Sequence, residues 1–105
     1  MQPNKKLISM IGLSKQAGKV LSGELACTKA IQTNSAMLVL VAEDASANTK
    51  KKFSNSTAFY KIPLAFLLTK DTLGAAIGKE YVAVIAITDE NLAKKIGQLA
   101  VESIT

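Results

Sequence analysis

The chain has 105 residues, 49% of them apolar and 20% charged, which is enough for one globular domain with a real core. Its 13 basic residues are all Lys, set against 8 acids for a net charge of +5, and it contains no His, no Trp and a single Cys, Cys27. These absences exclude a Ser-His-Asp or Cys-His catalytic arrangement, histidine-ligated zinc, a four-thiolate metal site and an internal disulfide, so neither a metal nor any other cofactor is expected.

The charge is unevenly spread. Residues 1–70 hold ten Lys against Glu24, Glu43 and Asp44, or +7, whereas residues 71–105 hold three Lys against five acids, or −2. Such an excess favours a polyanionic partner, nucleic acid or a membrane surface. The apolar runs, 62–68 and 81–87 among them, reach at most seven residues, far below the roughly 20 that span a bilayer. Lys5 and Lys6 do precede apolar residues, but that stretch holds Ser9 and Gly12 and reaches Lys15 without a cleavage site. The expectation is a reduced, soluble, cytoplasmic monomer, one domain over 1–105, with no membrane partner.

In chain order, Leu7, Ile8, Ile11 and Leu13 recur near helical spacing and Ala17-Gly18 supplies a stop, which predicts a helix over 4–16. A small strand over 19–22 follows. Ser22, Gly23 and Glu24 offer a capping side chain and a first-turn acid to a second helix that reaches Gln32 and ends at Thr33-Asn34. Residues 37–42 form a β-rich run without polar alternation, which predicts a central strand covered on both faces. Ser46 or a neighbour caps a third helix through Lys52 and Phe53. A loop before Pro63 leads to a strand over 64–68. Thr69 and Asp71 open a short helix ending at Gly78, 82–87 forms another fully apolar strand, and Thr88-Asp89-Glu90 starts a last helix with Leu92, Ile96 and Leu99 along one side. This alternation predicts an α/β fold, a three-layer α/β/α sandwich with a small mixed four-stranded sheet, without fixing strand order.

Several segments invite a chemical reading. The stretch from Gly12 to Val20 evokes a phosphate-binding P-loop, yet five residues separate its glycines, Val20 stands where Ser or Thr is needed, and a helix rather than a strand precedes it; a helix stop and turn is the better reading. Glu43-Asp44 follows a buried strand but lacks His, a second acidic cluster and a nucleophile, so capping and turn formation are favoured over catalysis. On a helical wheel Cys27, Ala30 and Ile31 share an arc of about 100° and define the core face, with Leu25 and Lys29 nearly opposite. Cys27 thus reads as a small buried hydrophobe. The helix N-terminus at Ser22-Gly23-Glu24 presents free N–H groups that suit a phosphate or a base edge, or simply a capped surface helix. Lys50-Lys51-Lys52 cannot all address one partner, because successive helical residues lie about 100° apart. Tyr81 can stack on a base or pack on the sheet edge, and packing is favoured.

Gly12-Leu13 with Ala17-Gly18-Lys19-Val20, Ser22-Gly23-Glu24 followed by Lys29-Ala30-Ile31, residues 38–46, Asn48-Thr49-Lys50-Lys51-Lys52, Ile62-Pro63, Leu73-Gly74, residues 76–80 and Ala86-Ile87-Thr88-Asp89 form a recognisable series. In this order the chain, from about Leu7 to Lys95, resembles the kink-turn RNA-binding ribosomal protein family L7Ae, and especially its small bacterial YlxQ-like members. The resemblance implies an α/β/α fold in which the N-terminus of the second helix enters the groove of a sharply bent RNA beside sheared G·A pairs. In that family a Gly-x-Asn-Glu-x-x-Lys stretch reads those pairs. The corresponding residues here are Gly23, Glu24, Leu25, Ala26, Cys27, Thr28 and Lys29, so Gly23 and Lys29 match while Leu25 and Ala26 replace the Asn and Glu. The family's second contact, the loop before the last strand, corresponds to Lys79, Glu80 and Tyr81; Glu80 matches, Tyr81 is compatible and Lys79 departs.

The resemblance and the wheel meet on the face of Leu25 and Lys29. The leading expectation is therefore an RNA-binding protein, not an enzyme, that takes a kink-turn or similarly bent RNA through the N-terminus of its second helix and the loop before the last strand, in a ribosome-associated or regulatory role. Lys29, Lys19 and Lys79 would contact phosphate, and the helix dipole would add to them. The alternative is a protein-interaction module on the same fold, with exposed Leu25 in a protein groove. A third reading, an enzyme using Glu43 and Asp44, requires a cleft that holds both carboxylates.

Overall fold

Two uninterrupted apolar runs organise the molecule. In the computed structural model, which describes residues 3–104 and the side chains of 5–101, strands β2 (Leu38–Val41) and β4 (Val84–Ile87) pair antiparallel at the centre of a sheet, all of their residues buried. Successive side chains leave a strand on opposite faces. Leu38, Leu40, Ile85 and Ile87 accordingly enter one core cluster, and Val39, Val41, Val84 and Ala86 enter another. β1 (Val20–Ser22) flanks β4 antiparallel and β3 (Leu64–Phe66) flanks β2 parallel, so the sheet is mixed with order β1-β4-β2-β3.

A sheet apolar on both faces needs cover on both. Helices α1 (Pro3–Gln16), α4 (Lys70–Ala76) and α5 (Glu90–Ile104) cover the first cluster with Leu7, Ile11, Leu73, Ile96 and Ala100. Helices α2 (Glu24–Gln32) and α3 (Ala47–Tyr60) cover the second with Cys27, Ala30, Ile31 and Phe53. The result is the three-layer α/β/α sandwich with a four-stranded mixed sheet that the segment pattern predicts. Among the described residues no helix is long and apolar enough to cross a membrane.

The helix ends show where local chemistry decides. Ser46 caps α3 as expected, its Oγ accepting from the Thr49 N–H at 3.1 Å. Past Phe53, where the sequence reading traced it, α3 continues to Tyr60. Thr57 explains the extension: it is buried on the same face as Phe53 and its hydroxyl donates to the Phe53 carbonyl at 2.6 Å. Ser22 does not cap α2. It is the last residue of β1, paired with Ile85, and the N-cap is Gly23 at φ 91°, a conformation that favours glycine, with no side chain capping the helix. The strands are shorter than their apolar runs. Leu68, for example, leaves the strand direction with φ 63° and closes the turn into α4.

Candidate nucleic-acid interface

Because β1 runs antiparallel to β4, the end of β1 meets the start of β4. The Gly23 N–H donates to the Val84 carbonyl at 3.0 Å, which fixes the beginning of α2 beside the strand into which the loop 77–83 feeds. Among the described residues no side-chain acceptor caps the first turn of α2, so its N-terminal N–H groups and the positive end of its dipole can meet an external anion or base edge.

The faces of α2 are those of the wheel. Cys27, Ala30 and Ile31 are buried, whereas Leu25 is 87% exposed and Lys29, one turn on, is also exposed; Ala26 is half-buried. Burial pushes the Cys27 thiol up to about 12. Glu24 points elsewhere. Its Oε2 accepts from the Thr49 hydroxyl at 2.8 Å and its Oε1 lies 3.5 Å from Lys52 Nζ. The Thr49 hydroxyl in turn accepts from Ser46 Oγ at 2.9 Å, so one polar chain ties the N-terminus of α2 to that of α3. Of the three consecutive lysines, Lys52 is engaged with Glu24 and sits 5.7 Å from the Phe53 ring centre, while Lys51 faces solvent, consistent with their divergent directions on the helix.

The loop before β4 is held from beneath by α4. The Gly74 carbonyl accepts from the N–H groups of Ile77 at 3.0 Å and Lys79 at 2.8 Å, and the Val82 N–H donates to the Lys70 carbonyl at 3.1 Å. Gly74 has no room for a side chain, since a Cβ there would stand 2.5 Å from the Tyr81 Cα. With its backbone pressed on α4, Tyr81 turns its ring outward and is 66% exposed, which overturns the expectation that it packs on the sheet edge. Lys79 and Glu80 are exposed beside it.

The structure thus brings Gly23, Glu24, Leu25 and Ala26 to the same end of the sheet as the loop that carries Lys79, Glu80 and Tyr81. Lys19 is set apart. It precedes β1, its carbonyl accepting from the Thr88 N–H at 2.9 Å, and lies about 13 Å along the strand from Gly23. The Gly12 to Val20 stretch is the end of α1 and a turn through Gly18 at φ 74°. Thr69 caps α4, its hydroxyl accepting from the Thr72 N–H at 3.2 Å, and Asp44 supports the same turn, its Oδ1 accepting from the Lys70 N–H at 2.8 Å; the Glu43 main-chain N–H donates to the Leu68 carbonyl. Among the described residues no group of three or more His, Cys, Asp and Glu side chains could hold a metal. Sequence reasoning missed Gly74 as the support of the loop and Thr49 as the anchor of Glu24. A glycine within a seven-residue helix and a threonine 25 positions from its partner carry no local signal.

The chain matches the ribosomal protein L7Ae/L30e/S12e/Gadd45 family over residues 5–97, and it belongs to that family. Among characterised relatives, the RNA-binding protein YlxQ of Bacillus subtilis (strain 168) is 42% identical over 87 residues, 83% of this chain and 87% of that protein. The RNA-binding protein YlxQ of Enterococcus faecium is 37% identical over 95 residues, 90% of this chain and 91% of that protein. A solved protein of unknown function from Bacillus halodurans superposes with a TM-score of 0.89 at 35% identity, covering 90% of this chain and 96% of its own. The Giardia lamblia 15.5kD RNA binding protein shares the fold, with a TM-score of 0.81 at 17% identity over 97% of this chain and 88% of that one.

Proposed function

We propose that this protein binds RNA, and that it takes a kink-turn or similarly bent RNA on the N-terminus of α2 and the loop before β4. One observation carries the reading: the Gly23 N–H bonded to the Val84 carbonyl joins the two segments at one end of the sheet, where a single ligand can meet both. Family membership and relatives that are RNA-binding proteins support RNA as that ligand.

Each residue then has a part. Gly23 lets the RNA backbone approach, and Lys29 and Lys79 supply charge for phosphate, with Lys19 extending the cationic track along the β1 edge. Leu25 and Tyr81 offer apolar surface to unstacked bases, with Glu80 between Lys79 and Tyr81 on the loop. Ala26 adds no polar group, and Glu24 acts indirectly by holding α2 against α3. A chain without Arg, and with Leu25 and Ala26 where base-reading side chains would stand, recognises RNA shape and phosphate more than sequence. The function is recognition without catalysis, in a cytoplasmic ribosome-associated or regulatory complex.

Titration of the protein with a kink-turn RNA and with a straight duplex of the same composition tests this. The kink-turn should bind more tightly, with a slope of log affinity against log salt of about −2 to −3 for three lysine contacts. Equal affinity for the two RNAs would overturn the assignment.

A further inference from the structure

On the layer opposite α2, helices α1 and α5 enclose an open groove of about 500 Å³ that the RNA reading leaves unused. Met10, Leu13 and Leu99 line it, and Leu13 is 56% exposed, so its floor is apolar and wet. Lys5, Lys6 and Lys95 stand on its rim. None of the three forms an ion pair among the described residues, whereas the neighbouring Lys94 does, with Glu90 at 3.4 Å. Lys5 and Lys6 are also misplaced for the stability of their own helix: α1 begins with no acid in its first turn, and cations there oppose the helix dipole. Three like charges around an apolar floor, with Leu13 exposed and Met10 and Leu99 half-buried, are a poor arrangement for an isolated protein and a good one for an anionic, amphipathic occupant.

We infer that this groove docks an acidic amphipathic helix of a protein partner, whose apolar side chains would sit on Met10, Leu13 and Leu99 and whose carboxylates would meet Lys5, Lys6 and Lys95. The lining favours protein over nucleic acid, because among the described residues no aromatic ring lines the groove on which a base could stack, while a helix with apolar residues at i, i+3, i+4 and i+7 fits a groove between two helices. The unbranched, adaptable Met10 suits such a surface. The proposal is independent of the RNA site, and since the groove and α2 lie on opposite faces of the sheet, both can be occupied at once.

The test uses the full chain, labelled with nitrogen-15, and a synthetic helical peptide carrying Leu at i, i+3, i+4 and i+7 and Glu elsewhere, with a Lys-for-Glu version as control. The Glu peptide should shift the amide signals of Lys6, Met10, Leu13, Lys95 and Leu99, and the Lys peptide should not. Reversing the rim with Lys5→Glu, Lys6→Glu and Lys95→Glu together should weaken binding at least tenfold, and the milder Lys95→Gln by a smaller factor without altering the thermal midpoint. Shifts elsewhere, no shifts, or equal binding by the charge-reversed protein would overturn the inference. So would a kink-turn or duplex RNA that moves these same signals, since the groove would then be a second RNA contact.

Discussion

Gly74 and Tyr81 meet backbone to backbone, close enough that a methyl group on Gly74 would lie 2.5 Å from the Tyr81 Cα and 2.8 Å from its nitrogen and carbonyl carbon. The absence of a side chain at Gly74 is what lets the loop before β4 lie flat on α4 and present Glu80 and Tyr81 to solvent. Gly74→Ala should therefore displace the loop and destabilise the fold by about 1–3 kcal/mol, the usual cost of overpacking a closed site. Urea denaturation measures this directly, and an unchanged midpoint would show that the loop rests on something else.

The α2 face gives a paired prediction. Lys29→Ala should weaken binding of a kink-turn RNA on the order of tenfold. Leu25→Asn with Ala26→Glu should do the reverse, tightening the kink-turn but not a straight duplex, because it supplies side chains that hydrogen bond to base edges. If the double substitution leaves both RNAs unchanged, the start of α2 is not where bases are read.

Much of this face was legible from the sequence, and the reason is geometric. The helical wheel exposes Leu25 opposite Cys27 without any knowledge of the sheet, and the unbroken apolar runs of β2 and β4 demand cover on both faces. What escaped depends on through-space partners. Ser54-Asn55-Ser56 reads as loop because these residues are weak helix formers, and only the burial of Thr57 beside Phe53 carries α3 through them. Ser22 reads as a cap because its hydroxyl could serve, but strand pairing with Ile85 claims its backbone first. Tyr81 reads as a packing residue until Gly74 is seen to fix its main chain.

Ser46, Thr49 and Glu24 form a chain of hydrogen bonds between the starts of two helices. Ser46→Ala removes the cap of α3 and should cost about 1 kcal/mol of stability. Thr49→Val keeps the shape but frees Glu24 from its hydroxyl partner, so it should loosen the α2 N-terminus and raise hydrogen exchange at the first-turn amides of α2 more than at α5. Uniform exchange across both helices would contradict the link.

Cys27 sets a pH dependence with a defined sign. Its thiol is pushed from 9.0 up to about 12 by burial, so the unfolded chain loses this proton first. The contribution to stability is complete below pH 9 and declines as pH rises from there toward about 12. The slope approaches about 1.4 kcal/mol per pH unit. Lysine titration is common to the wild type and Cys27→Ala, so comparing their unfolding free energies from pH 8 to 11 isolates the thiol. Parallel curves would mean that the folded thiol ionises as readily as a free one. At neutral pH the native protein should also resist thiol reagents until it unfolds.

The Gly23 to Val84 hydrogen bond is a main-chain bond between the end of β1 and the start of β4. On the proposed reading, the two halves of the RNA face are therefore cast in one piece, and the protein should have little to rearrange when its partner arrives. Almost all of the ordering must then be done by the RNA. The protein behaves as a mould, and an RNA already folded into the bend should associate faster than one that must first be bent.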